Sequence, residues 1–196
     1  EENATADRRS LDLFDVMDKA SAFYYEQLKH DGRAQAYLKH RNVSGETARD
    51  YRIGYAPDSW DAILRQLGDG EHKRQQLVDT GLTMRRDDGR EYDRFRDRVI
   101  FPIRDARGRT VGFGGRVLDK GEPKYLNSPE TVLFHKGKEL YGLFEARRAL
   151  RQIDRLLVVE GYMDVVALAE HGVRYAVATL GTATTPEHLK RLFRVC

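Results

Sequence analysis

Residues with apolar character recur every three to four positions from Leu11 to Lys29. Leu11, Phe14, Met17 or Asp18, Ser21, Tyr24 or Tyr25 and Leu28 trace one face of a helix. The polar residues 1–10 before it read as a linker or arm. Gly32 breaks the pattern, and Arg33 to Arg41 resumes it with Tyr37 and Leu38 inward. Ser44 is suited to cap a short helix through Arg49. Ile53-Gly54-Tyr55-Ala56-Pro57 reads as extended, because a residue before proline avoids the helical region. Ser59 is expected to cap a helix carrying Trp60, Ile63, Leu64 and Leu67, and a further short helix ends near Gly81.

The pattern then changes period. Asp87-Asp88-Gly89 is a turn signal. Val99-Ile100-Phe101-Pro102-Ile103 and Thr110-Val111-Gly112-Phe113 flank Asp105-Ala106-Arg107-Gly108, which predicts a β-hairpin or meander. Pro102 cannot donate to a ladder, so it implies an edge strand or a bulge. A helix follows Phe144 to about Leu150. From Arg155 the chain alternates: a strand to Val159, a helix from Tyr162 to Glu170 closed by Gly172, a strand from Tyr175 to Leu180, and a helix with Thr185 at its cap and Pro186 in its first turn. That βαβα order predicts a parallel sheet. Two parallel strands do not make a stable domain, so the expected fold class is α+β, with the N-terminal portion or further sequence completing the sheet.

Leu156-Leu157-Val158-Val159 reads as a strand buried on both faces. It delivers Glu160 at its carboxyl end, Gly161 lets the chain turn, and Asp164 follows in the first helical turn. Ligand sites in α/β sheets favour that end of a strand. The two carboxylates suit either a shared divalent metal or an acid/base pair. A solvent-facing Glu and a dipole-matching Asp would read the same way.

Charge adds a direction. The formal net charge is +3. Residues 1–93 hold 15 basic and 19 acidic side chains, whereas residues 94–138 hold 11 basic and 5 acidic. A basic middle between near-neutral ends points to a local anionic partner such as nucleic acid or nucleotide phosphates, or to a solvated arginine-rich surface. The only cysteine is Cys196, which excludes an intrachain disulfide, and the six histidines show no zinc-ligand spacing with it. No apolar run is long enough to span a membrane, and no secretory signal opens the sequence.

Within the basic stretch, Gly112-Phe113-Gly114-Gly115-Arg116 offers close backbone approach and then a guanidinium, although a bulged strand accounts for its glycines equally well. It matches neither a Walker loop nor the dinucleotide fingerprint. Lys124-Tyr125-Leu126-Asn127 adds a cation, an aromatic and an amide, and Phe134-His135-Lys136-Gly137 adds another cation. Tyr125 and Phe134 could stack on bases or pack in the core. With a terminal Cys and no Gly-x-Ser-x-Gly elbow, a nucleophilic enzyme has little support. Polyphosphate chemistry has more: strand-end carboxylates for Mg²⁺ and a basic patch for phosphates.

Several segments occur in a telling order: Tyr37-Leu38-x-x-Arg41, Ile53 to Pro57, Arg94-Phe95-Arg96-Asp97-Arg98-Val99-Ile100-Phe101-Pro102-Ile103, Gly112 to Arg116, Lys124 to Thr131, Phe134 to Gly137, Leu140-Tyr141-Gly142 and Val159 to Asp164. Together they resemble the RNA-polymerase core of bacterial replicative primase, the DnaG type, over nearly the whole chain from Leu11. The resemblance implies an N-terminal mixed α/β subdomain over residues 11–152. It is joined to a Rossmann-like Toprim subdomain over residues 153–196, of which only the first βαβα part is present. It implies that Glu160 is the Toprim glutamate, working in metal and acid/base chemistry, with Asp164 in support. It places template and nucleotide contacts on Arg41, Arg116, Lys124 and Lys136, with Asn127 beside them.

The implied reaction is attack of a ribonucleotide 3′-hydroxyl on the α-phosphate of the next NTP, templated by single-stranded DNA, with Mg²⁺ or Mn²⁺. The setting it implies is the replication fork in the bacterial cytoplasm, within a primosome. Zinc would belong to a preceding domain of the family. Contacts with replicative helicase and single-strand-binding protein would run through regions this sequence does not contain. The Toprim Asp-x-Asp cluster would fall just past Cys196, so this chain alone is expected to lack part of the metal site. Two other readings stay open: a DNA- or nucleotide-binding module without catalysis, and another Toprim nucleic-acid enzyme.

Overall fold

A computed structural model describes the backbone of residues 2–196 and the side chains from Ser10 onward. The first helix, α1 (Glu2–His30), is longer than its apolar pattern predicts, because the polar residues before Leu11 continue it. Its buried stripe is Leu13, Met17, Ala20, Tyr24 and Leu28, whereas Leu11 is 62% exposed. The expected face is inward at Met17, Ser21, Tyr24 and Leu28, with Phe14 packed partly against the core, and only Leu11 departs from it.

Helices α2 (Gly32–His40) and α3 (Gly45–Asp50) follow, each with a local cap. The Asp31 side chain accepts from the Ala34 amide, and Ser44 accepts from Thr47. After strand β1 (Gly54–Ala56), helix α4 (Ala62–Leu67) departs from expectation. Ser59 does not cap it, and its oxygen instead bonds Asp61. The amides of Ile63 and Leu64 donate to the buried carboxylate of Asp93, at 2.7 and 3.1 Å. A residue thirty positions away supplies the cap, so Trp60 lies outside the helix. Helix α5 (Glu71–Asp79) leads into a two-stranded ribbon of β2 (Thr83–Arg85) and β3 (Glu91–Asp93).

The central sheet has the order β1-β4-β5-β6, all antiparallel, with β4 (Arg98–Arg104), β5 (Thr110–Val117) and β6 (Tyr125–Asn127). β4 is interior only along Arg98 to Ile100, where β1 pairs with it. Pro102 lies past the end of β1, where its missing N–H leaves no partner unsatisfied, and a register shift follows at Ile103/Arg104. Gly112 to Arg116 sit inside β5 and pair residue for residue with β4, so they form no loop, and the register shift falls beside Gly112, where Val111 is the extra residue.

Helix α6 (Leu143–Ala149) precedes the parallel pair β7 (Leu157–Val159) and β8 (Ala176–Ala178), with helix α7 (Tyr162–Glu170) between them and α8 (Pro186–Leu192) after. The parallel βαβα order is as predicted. The burial of β7 is not: Leu157 and Val158 are each 41% exposed. A strand is buried on both faces only with neighbours on both edges and helices on both sides, and among the described residues β7 pairs with β8 alone.

One hydrophobic cluster joins the two parts. It runs from Leu38 and Tyr51 through Val99 and Phe101 of β4 to Tyr162, Val165 and Val166 of α7. The antiparallel sheet and the parallel pair are thus two layers on a shared core.

Candidate nucleic-acid interface and acidic corner

Glu160 occupies the bend between β7 and α7, and Asp164 the first turn of α7, as the sequence predicts. Both are exposed, and neither has a hydrogen-bond or ion-pair partner among the described residues. Among those residues no three or more His, Cys, Asp or Glu side chains gather at metal-binding distance. Two free carboxylates do fit a hard cation such as Mg²⁺, which takes one or two carboxylates and fills its remaining positions with water and phosphate oxygens.

Tyr162, between the two carboxylates in sequence, anchors the corner. Its ring stacks on Phe101 of β4, with centroids 5.3 Å apart and planes 10° apart, and meets Tyr141 edge-on at 4.8 Å. Its hydroxyl donates to Asn127 Oδ1, and burial pushes that phenol well above its ordinary pKa. The ring rests against β5 at Gly114, where a Cβ would lie 2.3 Å from Tyr162 Cζ. A glycine read as an opening for phosphate is instead the seat of a tyrosine.

Asn127 ends β6, and its side chain is occupied within the protein. Its side-chain amide donates to the Leu180 carbonyl at 3.2 Å, and its backbone carbonyl accepts two bonds from the Arg94 guanidinium, at 3.0 and 2.8 Å. Arg98 is buried on β4 and Arg94, between β3 and β4, is half-buried against β6, and burial lowers both guanidinium pKa values.

Of the predicted cations, Arg41 and Lys124 are exposed, Lys136 is half-buried and Arg116 is largely buried. Arg41 and Arg116 both approach the Tyr37 ring, at 5.4 and 5.3 Å, and Arg116 also lies 5.5 Å from the half-exposed Tyr125 ring. Arg116 is largely buried, donates to the Val117 carbonyl, and leaves its Nε without a partner. Lys124, next to Tyr125, is exposed. Lys136 sits in a loop pinned by its backbone: its amide donates to Glu130 and its carbonyl accepts from His188 Nε2. Phe134 is fully buried beneath Gly112, so it packs in the core and is not free to stack on a base. Tyr125 keeps a free edge, and its ring lies 6.4 Å from that of Tyr162.

A second aromatic–arginine group escaped the sequence reading. Trp60, 57% exposed, carries Arg96 over its ring at 3.9 Å and meets Tyr92 edge-on at 5.7 Å. Arg86 lies 5.2 Å from the Tyr92 ring. Assigning Trp60 to a helix face hid it. The available signal was a lone tryptophan in a Pro/Ser/Asp turn with arginines at positions 86, 94 and 96.

Comparison with known proteins decides the family. Residues 23–147 match the N-terminal domain of the DNA primase catalytic core, and residues 154–195 match the Toprim domain. The chain belongs to the DNA primase family. It is 58% identical over 187 residues to a DNA primase of Pseudomonas putida, and 53% identical over 184 residues to that of Escherichia coli K12. Each alignment covers 93% of this chain but only 28% and 32% of those proteins, so the chain spans about a third of its primase relatives or less. A solved DnaG primase catalytic domain bound to ssDNA superposes with a TM-score of 0.92 at 52% identity, over 96% of this chain and 61% of that one. The RNA polymerase domain of Mycobacterium tuberculosis primase superposes at 0.84 with 37% identity, over 93% of this chain and 60% of that one. These primase cores bear out the expected mixed α/β part joined to a Toprim part. No helix among the described residues is long and apolar enough to cross a membrane.

Proposed function

We propose that this chain supplies the template groove and one acidic corner of a primase, for metal-dependent synthesis of RNA primers from NTPs on single-stranded DNA. One observation carries the reading: a chain of contacts links the basic side to the acidic side. Arg116 lies against Tyr125, Tyr125 against Tyr162, and Tyr162 is two residues from both Glu160 and Asp164.

In this reading Arg41, Arg116, Lys124 and Lys136 hold template or nucleotide phosphates. The Arg guanidinium groups suit bidentate contacts, while Lys acts as a point charge. Tyr125 offers an edge for a base beside them. Asn127 holds Tyr162 and Leu180 in place, and so positions the corner from within. Glu160 and Asp164 would hold the divalent ion, Mg²⁺ or Mn²⁺. When bound, it lowers the cost of deprotonating the attacking 3′-hydroxyl and of releasing pyrophosphate.

Whole-primase properties extend the proposal: contact with replicative helicase and single-strand-binding protein, and action at the bacterial replication fork. A binding module is the second reading for the chain by itself. It is favoured because only two carboxylates meet at the corner among the described residues.

The test replaces the matching segment of the Pseudomonas putida primase with this chain and measures templated RNA synthesis with Mg²⁺ or Mn²⁺. Primers are expected from the hybrid, and none once Glu160→Gln is introduced, with single-stranded DNA binding retained in both. Synthesis surviving Glu160→Gln would reject the role of the corner. A hybrid that binds DNA but stays silent would leave the binding module.

A further inference from the structure

We propose that a second phosphate site lies away from the groove, in the cavity between α1 at Ser10 and Phe14, the β4–β5 turn, α6 and α8. The cavity measures about 750 Å³, within the several-hundred-Å³ range of small-ligand sites. It shares no lining residue with the groove or the acidic corner.

Among the described residues, six arginines and two carboxylates line it. That local excess of four positive charges is larger than the formal +3 of the whole chain. The carboxylates are already engaged. Asp105 pairs with Arg109 at 2.7 Å and also accepts from the Arg107 and Arg109 amides, which closes the hairpin turn. Glu139 grips Arg191 with both oxygens, at 2.8 and 3.0 Å. Arg104 is held by Glu145, behind the wall, at 2.8 Å.

Three guanidinium groups are left over. Arg107 on the turn, Arg147 on α6 and Arg194 just beyond α8 are exposed, and none pairs with a carboxylate among the described residues. They come from three elements far apart in sequence and meet at one concave site. Like charges gathered in a cleft raise the local potential and favour an anion that can bridge them.

The ligand class follows from what the floor offers. Both nearby rings already have a face covered: Arg109 lies 3.7 Å over Phe14, and Arg104 lies 4.7 Å over Phe144. Stacking of a base therefore contributes little. Recognition falls to planar guanidinium groups, whose paired N–H donors match phosphate oxygens. The fitting ligand is a chain of two or more phosphates, free or carried by a nucleotide.

Calorimetric titration of the chain with inorganic tripolyphosphate, in EDTA to keep metals out, tests this. One equivalent should bind. Arg147→Ala combined with Arg194→Ala should weaken it at least tenfold without lowering the unfolding temperature, because neither side chain has a partner to lose. Lys124→Ala should leave the affinity unchanged. An ATP arm separates the sources. Equal affinity for ATP and tripolyphosphate would show that the phosphate chain alone is read, and tighter ATP binding abolished by the double variant would mark a nucleotide. No binding of tripolyphosphate, or binding lost with Lys124→Ala and kept by the double variant, would overturn the proposal.

Discussion

Replacing Gly114 by alanine tests how the two parts are joined. The added Cβ would lie 2.3 Å from Tyr162 Cζ and 2.6 Å from its hydroxyl oxygen, against an ordinary carbon contact of about 3.5–4.0 Å. The ring tip would have to retreat by more than ~1 Å. It cannot do so freely, because it is stacked on Phe101, set edge-on to Tyr141 and bonded to Asn127. Overpacking of this kind costs about 1–3 kcal/mol, and the easing of backbone entropy on losing a glycine returns at most ~1 kcal/mol. Urea unfolding should therefore show a lower midpoint for Gly114→Ala at unchanged slope. In a Tyr162→Leu background the same substitution should cost close to nothing, which gives a coupling energy of about 1–3 kcal/mol. Gly115→Ala is the control. Its Cβ would point to the opposite face, toward Phe95 and Arg98 at 2.9 and 3.0 Å, and its cost should add to that of Tyr162→Leu. Equal costs of Gly114→Ala in the two backgrounds would refute the seating of Tyr162 on β5.

Burial lifts the Asp93 carboxyl from its ordinary 3.8 to about 6 despite the amides it accepts from. The folded state therefore holds that proton more tightly than the unfolded chain, and the associated stability, full below pH 4, fades as pH rises through 6. Relative to Asp93→Asn, the chain should lose about 2–3 kcal/mol between pH 4 and 7, and a pH-independent difference in urea midpoints would remove the carboxyl as the cause. Glu145→Gln should leave the buried Arg104 without its counter-charge and lower stability by about 3–5 kcal/mol, read as a fall in unfolding temperature. An unshifted melt would show that the pair is dispensable. Lys124→Ala should weaken single-stranded DNA binding and flatten its log–log salt slope by about 0.7. A parallel slope would place Lys124 off the phosphate track.

The elements that were legible in sequence are those decided locally. Ser44 and the Thr185-Pro186 start cap their own helices through bonds three residues away, so the residues and their consequence sit in one short window. The Glu160-Gly161 corner and the first-turn Asp164 are local in the same sense. What stayed hidden depends on distant partners. The cap of α4 comes from Asp93, the reason for Gly114 is a ring 48 residues on, and the exposure of Leu157 and Val158 follows from which strands stand beside them. The basic side was visible as a charge excess. Composition could not separate Arg94 and Arg98, spent on carbonyls within the protein, from Arg41, which faces solvent.

The seam at Tyr162 sets terms for exchange between relatives. The two family matches meet near residue 150, an inviting breakpoint for recombination. Yet Phe101, Gly114 and Asn127 lie on one side of that breakpoint and Tyr162 and Leu180 on the other, and they fit as one set. A crossover there inherits half of a lock. Hybrids cut near residue 150 should tolerate foreign sequence only where the donor brings a matching ring, a bare backbone beneath it and an amide to hold its hydroxyl, however alike the two halves are elsewhere.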